Sequence, residues 1–277
     1  MHIGGHVSIA GGLEKSVARA VKEEFEVMQI FVSSPRSFKP NIYSDEQISA
    51  FITAYKAADM KGLFFHAIYL VNLGSENENL HNLSINSLKN YLQVGASLGA
   101  NGTIVHIGSG SIEKICDGIA DILHDTPTSQ NILVENMASE KRVVYDLYQC
   151  VEILEKANSD RVKFCIDTQH LFASGIDIRD KEVVTNWFDD VERLIGIDKI
   201  ACFHANDSKT ACGSQHDRHE NIGEGEIGTE GLKTFFSDPR TKNIPNILEV
   251  PGFENKGPDK ENKLRLLSTL STSEVSL

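Results

Sequence analysis

The sequence predicts an α/β fold, a single (β/α)8 TIM barrel spanning residues 1–277, and three observations carry that prediction. Six short apolar runs are bounded by turn residues, as buried parallel strands are. Each run ends on a His, Asp or Glu, and the C-terminal ends of strands are where an α/β barrel builds its active site. Segments of helical period alternate with the runs over the whole length, with no linker or low-complexity stretch between them. A doubly wound open sheet is the alternative, but it ordinarily brings fewer strand ends into one shared site.

In chain order, a short strand is expected around Ile3 and a longer one over residues 27–32, followed by a helix over residues 44–58. The first ligand-bearing run is Gly62-Leu-Phe-Phe-His66, and a helix over residues 83–98 follows it. Gly102-Thr-Ile-Val-His106 comes next. Ile112, Ile115, Ile119 and Ile122 then share one helical face behind Ser111, a suitable N-cap. After Asn131-Ile-Leu-Val-Glu135, a second stripe runs through Val143, Leu147, Cys150, Val151 and Leu154. Val162-Lys-Phe-Cys-Ile-Asp167 precedes a helix over residues 183–194, and Ile200-Ala-Cys-Phe-His204 precedes a long Gly-containing loop over residues 205–228. Asn246-Ile-Leu-Glu249 and a helix over residues 260–270 close the alternation, and the Ser/Thr-rich residues 268–277 read as a flexible tail. A second long loop covers residues 33–40, and on a barrel both loops lie on the catalytic face.

Composition narrows the class. A chain with 40% hydrophobic and 24% charged residues is an ordinary globular protein. No apolar stretch approaches the roughly 20 residues that span a bilayer. The amino terminus has neither the basic region nor the apolar core of a signal peptide, so a cytoplasmic location is expected. Five scattered cysteines without a CxxC pair fit a reducing compartment and argue against thiolate metal chemistry. A formal charge of −12 argues against a nucleic-acid partner. Three divalent ions would halve it and concentrate positive charge in one place.

His with carboxylates at converging strand ends implies borderline divalent metals. Three residues join the six. His170 follows the strand-end Asp167 by three positions, and Asp217-Arg-His219 has the i, i+2 spacing that projects two side chains to one side of an extended chain. Nine candidates result: His66, His106, Glu135, Asp167, His170, His204, Asp217, His219 and Glu249. That number exceeds what one or two ions need and fits three. Taken singly, a strand-end His is commonly a hydrogen-bonded core residue, and Asp167 would serve equally as a helix cap. His81, His124 and His216 read as surface residues, and His6 as a residue outside the site in preference to a supporting role beside the ligands.

These residues meet a family. Asn101-Gly-Thr-Ile-Val-His106, Val134-Glu-Asn136, Cys165-Ile-Asp-Thr-Gln-His170, Phe203-His-Ala-Asn-Asp-Ser-Lys209 and Asp217-Arg-His219 together resemble endonuclease IV. This is the zinc-dependent apurinic/apyrimidinic endonuclease family of base-excision repair. The resemblance runs from Gly5-His-Val-Ser8 to Glu249. It implies a first zinc held by His66, His106 and Glu135. A second would share Glu135 and add Asp167, His204 and Glu249, and a third would take His170, Asp217 and His219. It implies that a hydroxide bridging the first two ions attacks the phosphorus 5′ to an abasic sugar in duplex DNA and leaves a 3′-OH. Glu135, Glu249 and Asp217 then carry the catalytic metals, with manganese a possible substitute. The resemblance also makes Ser33-Ser-Pro-Arg-Ser-Phe38 a wedge loop with Arg36 as its filling side chain, and Phe38 stands where the family often has Trp. Tyr69 matches a minor-groove contact, Lys209 and Arg218 would meet phosphates, and the protein would act as a monomer. The rival from the same fold is a xylose-isomerase-like sugar isomerase or epimerase with one or two metals, in which His170, Asp217 and His219 have no task. A different metal-dependent phosphoesterase and a non-catalytic DNA- or metal-binding module are the other readings.

Overall fold

The computed structural model describes residues 1–271. Its strands are β1 (Ile3–His6), β2 (Val27–Ile30), β3 (Gly62–His66), β4 (Gly102–Val105), β5 (Ile132–Glu135), β6 (Val162–Asp167) and β7 (Ile200–His204). A short pair, β8 (Asp207–Ser208) and β9 (His219–Glu220), comes next, and β10 (Asn246–Leu248) follows. All but the short pair form one closed parallel barrel, in which β1 joins β2 to β10. The fold is the expected TIM barrel. At the closure the chains approach so tightly that a Cβ on Gly4 would lie 1.6 Å from the Val27 carbonyl oxygen, and only glycine fits there.

The helices are α1 (Leu13–Lys22), α2 (Asp45–Ala57), α3 (Glu78–Leu98), α4 (Ile112–His124), α5 (Leu147–Ala157), α6 (Thr168–Ser174), α7 (Lys181–Leu194), α8 (Gly228–Phe236) and α9 (Lys260–Ser271). Most start on a side-chain cap. Ser44 and Gln47 make a capping box for α2, and Ser111 caps α4 as its sequence suggests. Among the described residues no helix is long and apolar enough to cross a membrane.

Several boundaries differ from expectation. Helix α3 begins five residues early, because the Asn77 side chain accepts from the Leu80 amide and starts the helix there. Val143 is not part of the α5 stripe. Asp146 caps that helix, and Val143 and Val144 are buried in the preceding loop, with Val144 at φ 70°. Helix α9 continues to Ser271, so residues 268–271 are helical, and residues 272–277 of the expected tail lie outside the described residues.

Two packing layers result. The main core fills the space between strands and helices, with Phe188, Phe203 and Phe235 among its largest members. A second, smaller cluster lies inside the barrel and takes Val27, Phe64, Ile104, Leu133, Cys165, Cys202 and Ile247, one from each of seven strands. These residues form the floor on which the site stands.

The long loop after β7 is built around a single buried carboxylate. Asp207 accepts from the amides of Ser208, Gly223, Gly225, Ile227 and Gly228 at 2.8–3.2 Å. Its neighbour Ser208 pairs across the two-stranded sheet with His219. Asp207→Ala would leave five amides without that acceptor, and we expect a loss of about 3 kcal/mol or more in stability, read by urea unfolding. An unchanged midpoint would show that water replaces the carboxylate.

Candidate metal centre

Side chains alternate with period two along a strand, so a residue two positions past an interior one also points inward. Applied to the inner floor, this rule generates the site. Phe64 is followed by His66, Ile104 by His106, Leu133 by Glu135, Cys165 by Asp167, Cys202 by His204 and Ile247 by Glu249. The six strand-end residues therefore converge at one level of the barrel, immediately above its apolar floor.

Three groups of donors form there, each with atoms within 4.8 Å of one another. The first is His66, His106 and Glu135; the second is Glu135, Asp167, His204 and Glu249; the third is Asp167, His170 and His219. Glu135 and Asp167 each belong to two groups and are fully buried. Glu135 Oε2 is 3.3 Å from both His66 Nε2 and His106 Nε2, while its Oε1 is 2.9 Å from His204 Nδ1. Asp217 completes the third group from the loop, 3.4 Å from His170 Nε2 and 3.6 Å from His219 Nε2, and is half-exposed. The arrangement differs from the expected third set in that Asp167 also faces His219, at 3.3 Å.

Asp167 does two things at once. Its Oδ1 caps α6 by accepting from the Gln169 and His170 amides, which places His170 one turn above it. Its Oδ2 faces His219 and accepts from Asn206 Nδ2 at 2.8 Å.

The donor set fits a metal. His170 Nε2 and His219 Nε2 are buried without a hydrogen-bond partner and point into the cluster, although buried polar atoms are normally paired. Their other nitrogens donate to backbone carbonyls of Asn136 and Glu249, so Nε2 is the atom left for an ion. Electrostatics agree. Burial disfavours a charged imidazole at His170, yet Asp167 and Asp217 outweigh it and push its pKa up to about 10. At His219 burial again opposes and Asp167 prevails, giving about 9. His106 moves down to about 4, because burial exceeds the pull of Glu135. Burial would raise Glu135, Asp167 and Glu249, but the facing imidazoles hold all three below the usual carboxylate range.

The DNA-contact candidates are placed less uniformly. The cluster opens into a groove of about 890 Å³ lined by Tyr69 and Arg218 as well as by His66, His106, His170, Asp217, His219 and Glu249. Tyr69 is 64% exposed, and its amide donates to the Pro35 carbonyl, tying its loop to residues 33–40. Arg36 is exposed on that loop. Phe38 is half-buried and packs in part against the main core. Lys209 is exposed but outside the groove, 3.9 Å from Glu220 across the short sheet. His81 is no free surface residue either, since its ring is 2.7 Å from the Leu73 carbonyl.

Gln29 escaped the sequence reading, and His6 was set outside the site by it. Gln29 is fully buried, with Nε2 donating to Glu249 Oε1 at 2.6 Å and to His6 Nδ1 at 2.8 Å, and Oε1 accepting from His204 Nε2 at 2.8 Å. His6 lines the groove 3.5 Å from Glu249, which corrects its placement outside the site. The signal was present: Gln29 stands two residues after the interior Val27, and His6 ends β1 as the other six end theirs.

A barrel whose strand ends carry this much His and carboxylate defines a metal-type α/β-barrel protein, and the comparisons narrow the class. The family model described as a xylose isomerase-like TIM barrel matches residues 17–269. A probable endonuclease 4 of Halothermothrix orenii is 34% identical, over 94% of this chain and 97% of its own. One from Thermosipho africanus is 35% identical, over 91% and 93%. The crystal structure of endonuclease IV from Thermus thermophilus superposes with a TM-score of 0.89 at 33% identity, covering 99% of this chain and all of that one. A D-tagatose 3-epimerase-like protein, at TM-score 0.70 and 18% identity, shares the fold. The chain belongs to the endonuclease IV family.

Two outcomes follow from this geometry. In the metal-free protein His170 and His219 carry protons at pH 7, and an ion taking their Nε2 atoms must displace them. Uptake of a divalent ion should therefore release protons at pH 7, and affinity should rise with pH toward about 9 to 10. Calorimetry in buffers of different ionisation enthalpy measures this, and a buffer-independent heat would contradict it. Gln29→Leu removes the amide that orients His204 and Glu249, and metal affinity should fall roughly 10- to 100-fold, read by chelator competition.

Proposed function

We propose that the chain hydrolyses the phosphodiester bond 5′ to an abasic site in duplex DNA, leaving a 3′-OH, with three zinc ions held by its three donor groups. The observation that carries this reading is the third group. Sugar isomerisation needs one or two ions, and His170, Asp217 and His219 would then have no task. Relatives named endonuclease 4 supply the class of substrate.

His66, His106 and Glu135 would hold the first ion, and Glu135, Asp167, His204 and Glu249 the second. His170 and His219 would hold the third with Asp217, and with Asp167 alongside. Zinc when bound supplies Lewis acidity, bringing the pKa of water to about 7 and drawing charge from phosphoryl oxygens. The chain's own part is to bind, orient and shield. Glu135 spans the first two groups and fixes their separation, while the apolar floor closes the barrel beneath them. Every carboxylate in the cluster is committed to a donor group, so no side chain stands free as a general base. Manganese is the substitute that similar geometry admits.

Recognition rests on the rim. A nucleotide without a base is the cheapest to extrude, so the lesion itself provides selectivity. Arg36, exposed on the loop beside the groove, would fill the vacated space, and Tyr69 and Arg218 line the groove itself. Residues 27–44 contain no Asp or Glu and carry Arg36 and Lys39, a local basic strip on an acidic protein. Access of a duplex to the whole barrel mouth favours a monomer, and the reducing chemistry of the cysteines a cytoplasmic site of action.

The test is a nicking assay on an abasic-site duplex together with metal quantification. Cleavage on the 5′ side without added magnesium is expected, abolished by chelation and restored by zinc. One ion per chain with isomerase activity on a free sugar would overturn the reading. Asp217→Ala should lower metal occupancy and rate by roughly 100-fold or more while leaving duplex binding intact. Arg36→Ala should instead weaken lesion binding by roughly 1–3 kcal/mol, with zinc content unchanged.

A further inference from the structure

Every histidine of the donor groups turns one nitrogen to the carboxylates and gives the other to a fixed partner. For four of the five that partner is an oxygen: Ala67 O for His66, Asn136 O for His170, Glu249 O for His219 and Gln29 Oε1 for His204. His106 is the exception. Its Nδ1 lies 2.9 Å from the Met137 sulfur. A thioether has no proton, so Nδ1–H donates, and Nε2 is left facing Glu135 Oε2 at 3.3 Å.

The difference has chemical weight. An oxygen acceptor behind a ligating imidazole both orients the ring and raises its basicity. Thioether sulfur accepts weakly, so it supplies the orientation with little of the polarisation. Nor is the sulfur there by loose packing. The Met137 amide donates to the Val144 carbonyl at 2.9 Å, and the Val143 amide donates to the Gly108 carbonyl at 3.1 Å, just past the His106 strand. Val144 holds φ at 70°, a conformation that costs a β-branched residue energy and persists only where its surroundings enforce it.

We propose that Met137 is a positioning residue for His106 that orients the ring but leaves it the least polarised of the five, so that the ion held by His66, His106 and Glu135 is the most loosely bound of the three. This rests on the reading of the three groups as metal sites. Zinc-loaded protein is titrated with a chelator while the ions retained per chain are counted. One ion should leave the parent before the other two. Met137→Gln, which offers an amide oxygen, should tighten that ion roughly tenfold, and Met137→Leu, which fills similar space without an acceptor, should loosen it roughly tenfold. In a His66→Ala background, where this donor group is already broken, the same substitutions should leave the remaining ions unaffected. Equal release from the parent, Met137→Leu and Met137→Gln would overturn the proposal, because packing alone would then explain the sulfur. A parent that takes up no zinc would overturn the metal reading and this proposal together; zinc binding indifferent to residue 137 overturns this proposal alone.

Discussion

Four carboxylates share the mouth of this barrel, and Glu135 and Asp167 among them are fully removed from water. Ionised acids at such depth are stable only beside compensating positive charge. Four of the five imidazoles, those of His66, His170, His204 and His219, supply part of that compensation, which is why His170 and His219 hold protons so strongly when no ion is present. Divalent ions supply it better, since each brings two charges and takes the nitrogen lone pairs that the rings already aim inward. The surrounding architecture can be read as a means of holding these charges at fixed separation. The caps, the Gln29 amide and the Asp207-centred loop each keep one donor from turning away.

Closure of the barrel makes this possible. In an open sheet, the ends of β3 and β10 would lie on different strands of a broad edge. Here they belong to one ring, and the period of two brings His66 and Glu249 to the same level above the apolar floor. A D-tagatose 3-epimerase-like protein shares the fold. In this chain the ring extends sideways, through α6 with His170 and through the loop with Asp217 and His219. An additional group beside the first two is the feature that a phosphodiester, with its several charged oxygens, gives reason to keep.

The acidic balance of the chain finds a local resolution. A charge of −12 is a property of the whole surface, whereas a duplex would meet only the groove and its rim. At that rim residues 31–44 are free of acids, and the cluster below them could hold positive ions. Counting charge along a sequence averages over faces that DNA would never touch.

The sequence by itself determined the barrel and nominated the nine candidate donors that the fold brings together. Apolar runs ending in His, Asp or Glu follow from strand burial and from the need to place metal-type ligands at strand ends, and both are local patterns. It was less informative about Gln29, His6, Met137 and Phe38. Gln29 and His6 are ordinary residues until the ring closes and brings β1 and β2 against β10. Met137 meets His106 because β4 and β5 lie side by side, and Phe38 is half-buried because the core receives part of its ring. Which nitrogen each histidine offers, and to which carboxylate, was decided by tertiary structure alone. Those pairings join residues from opposite ends of the chain, as His6 and Glu249 are, and no local pattern encodes a proximity that only the closed barrel creates.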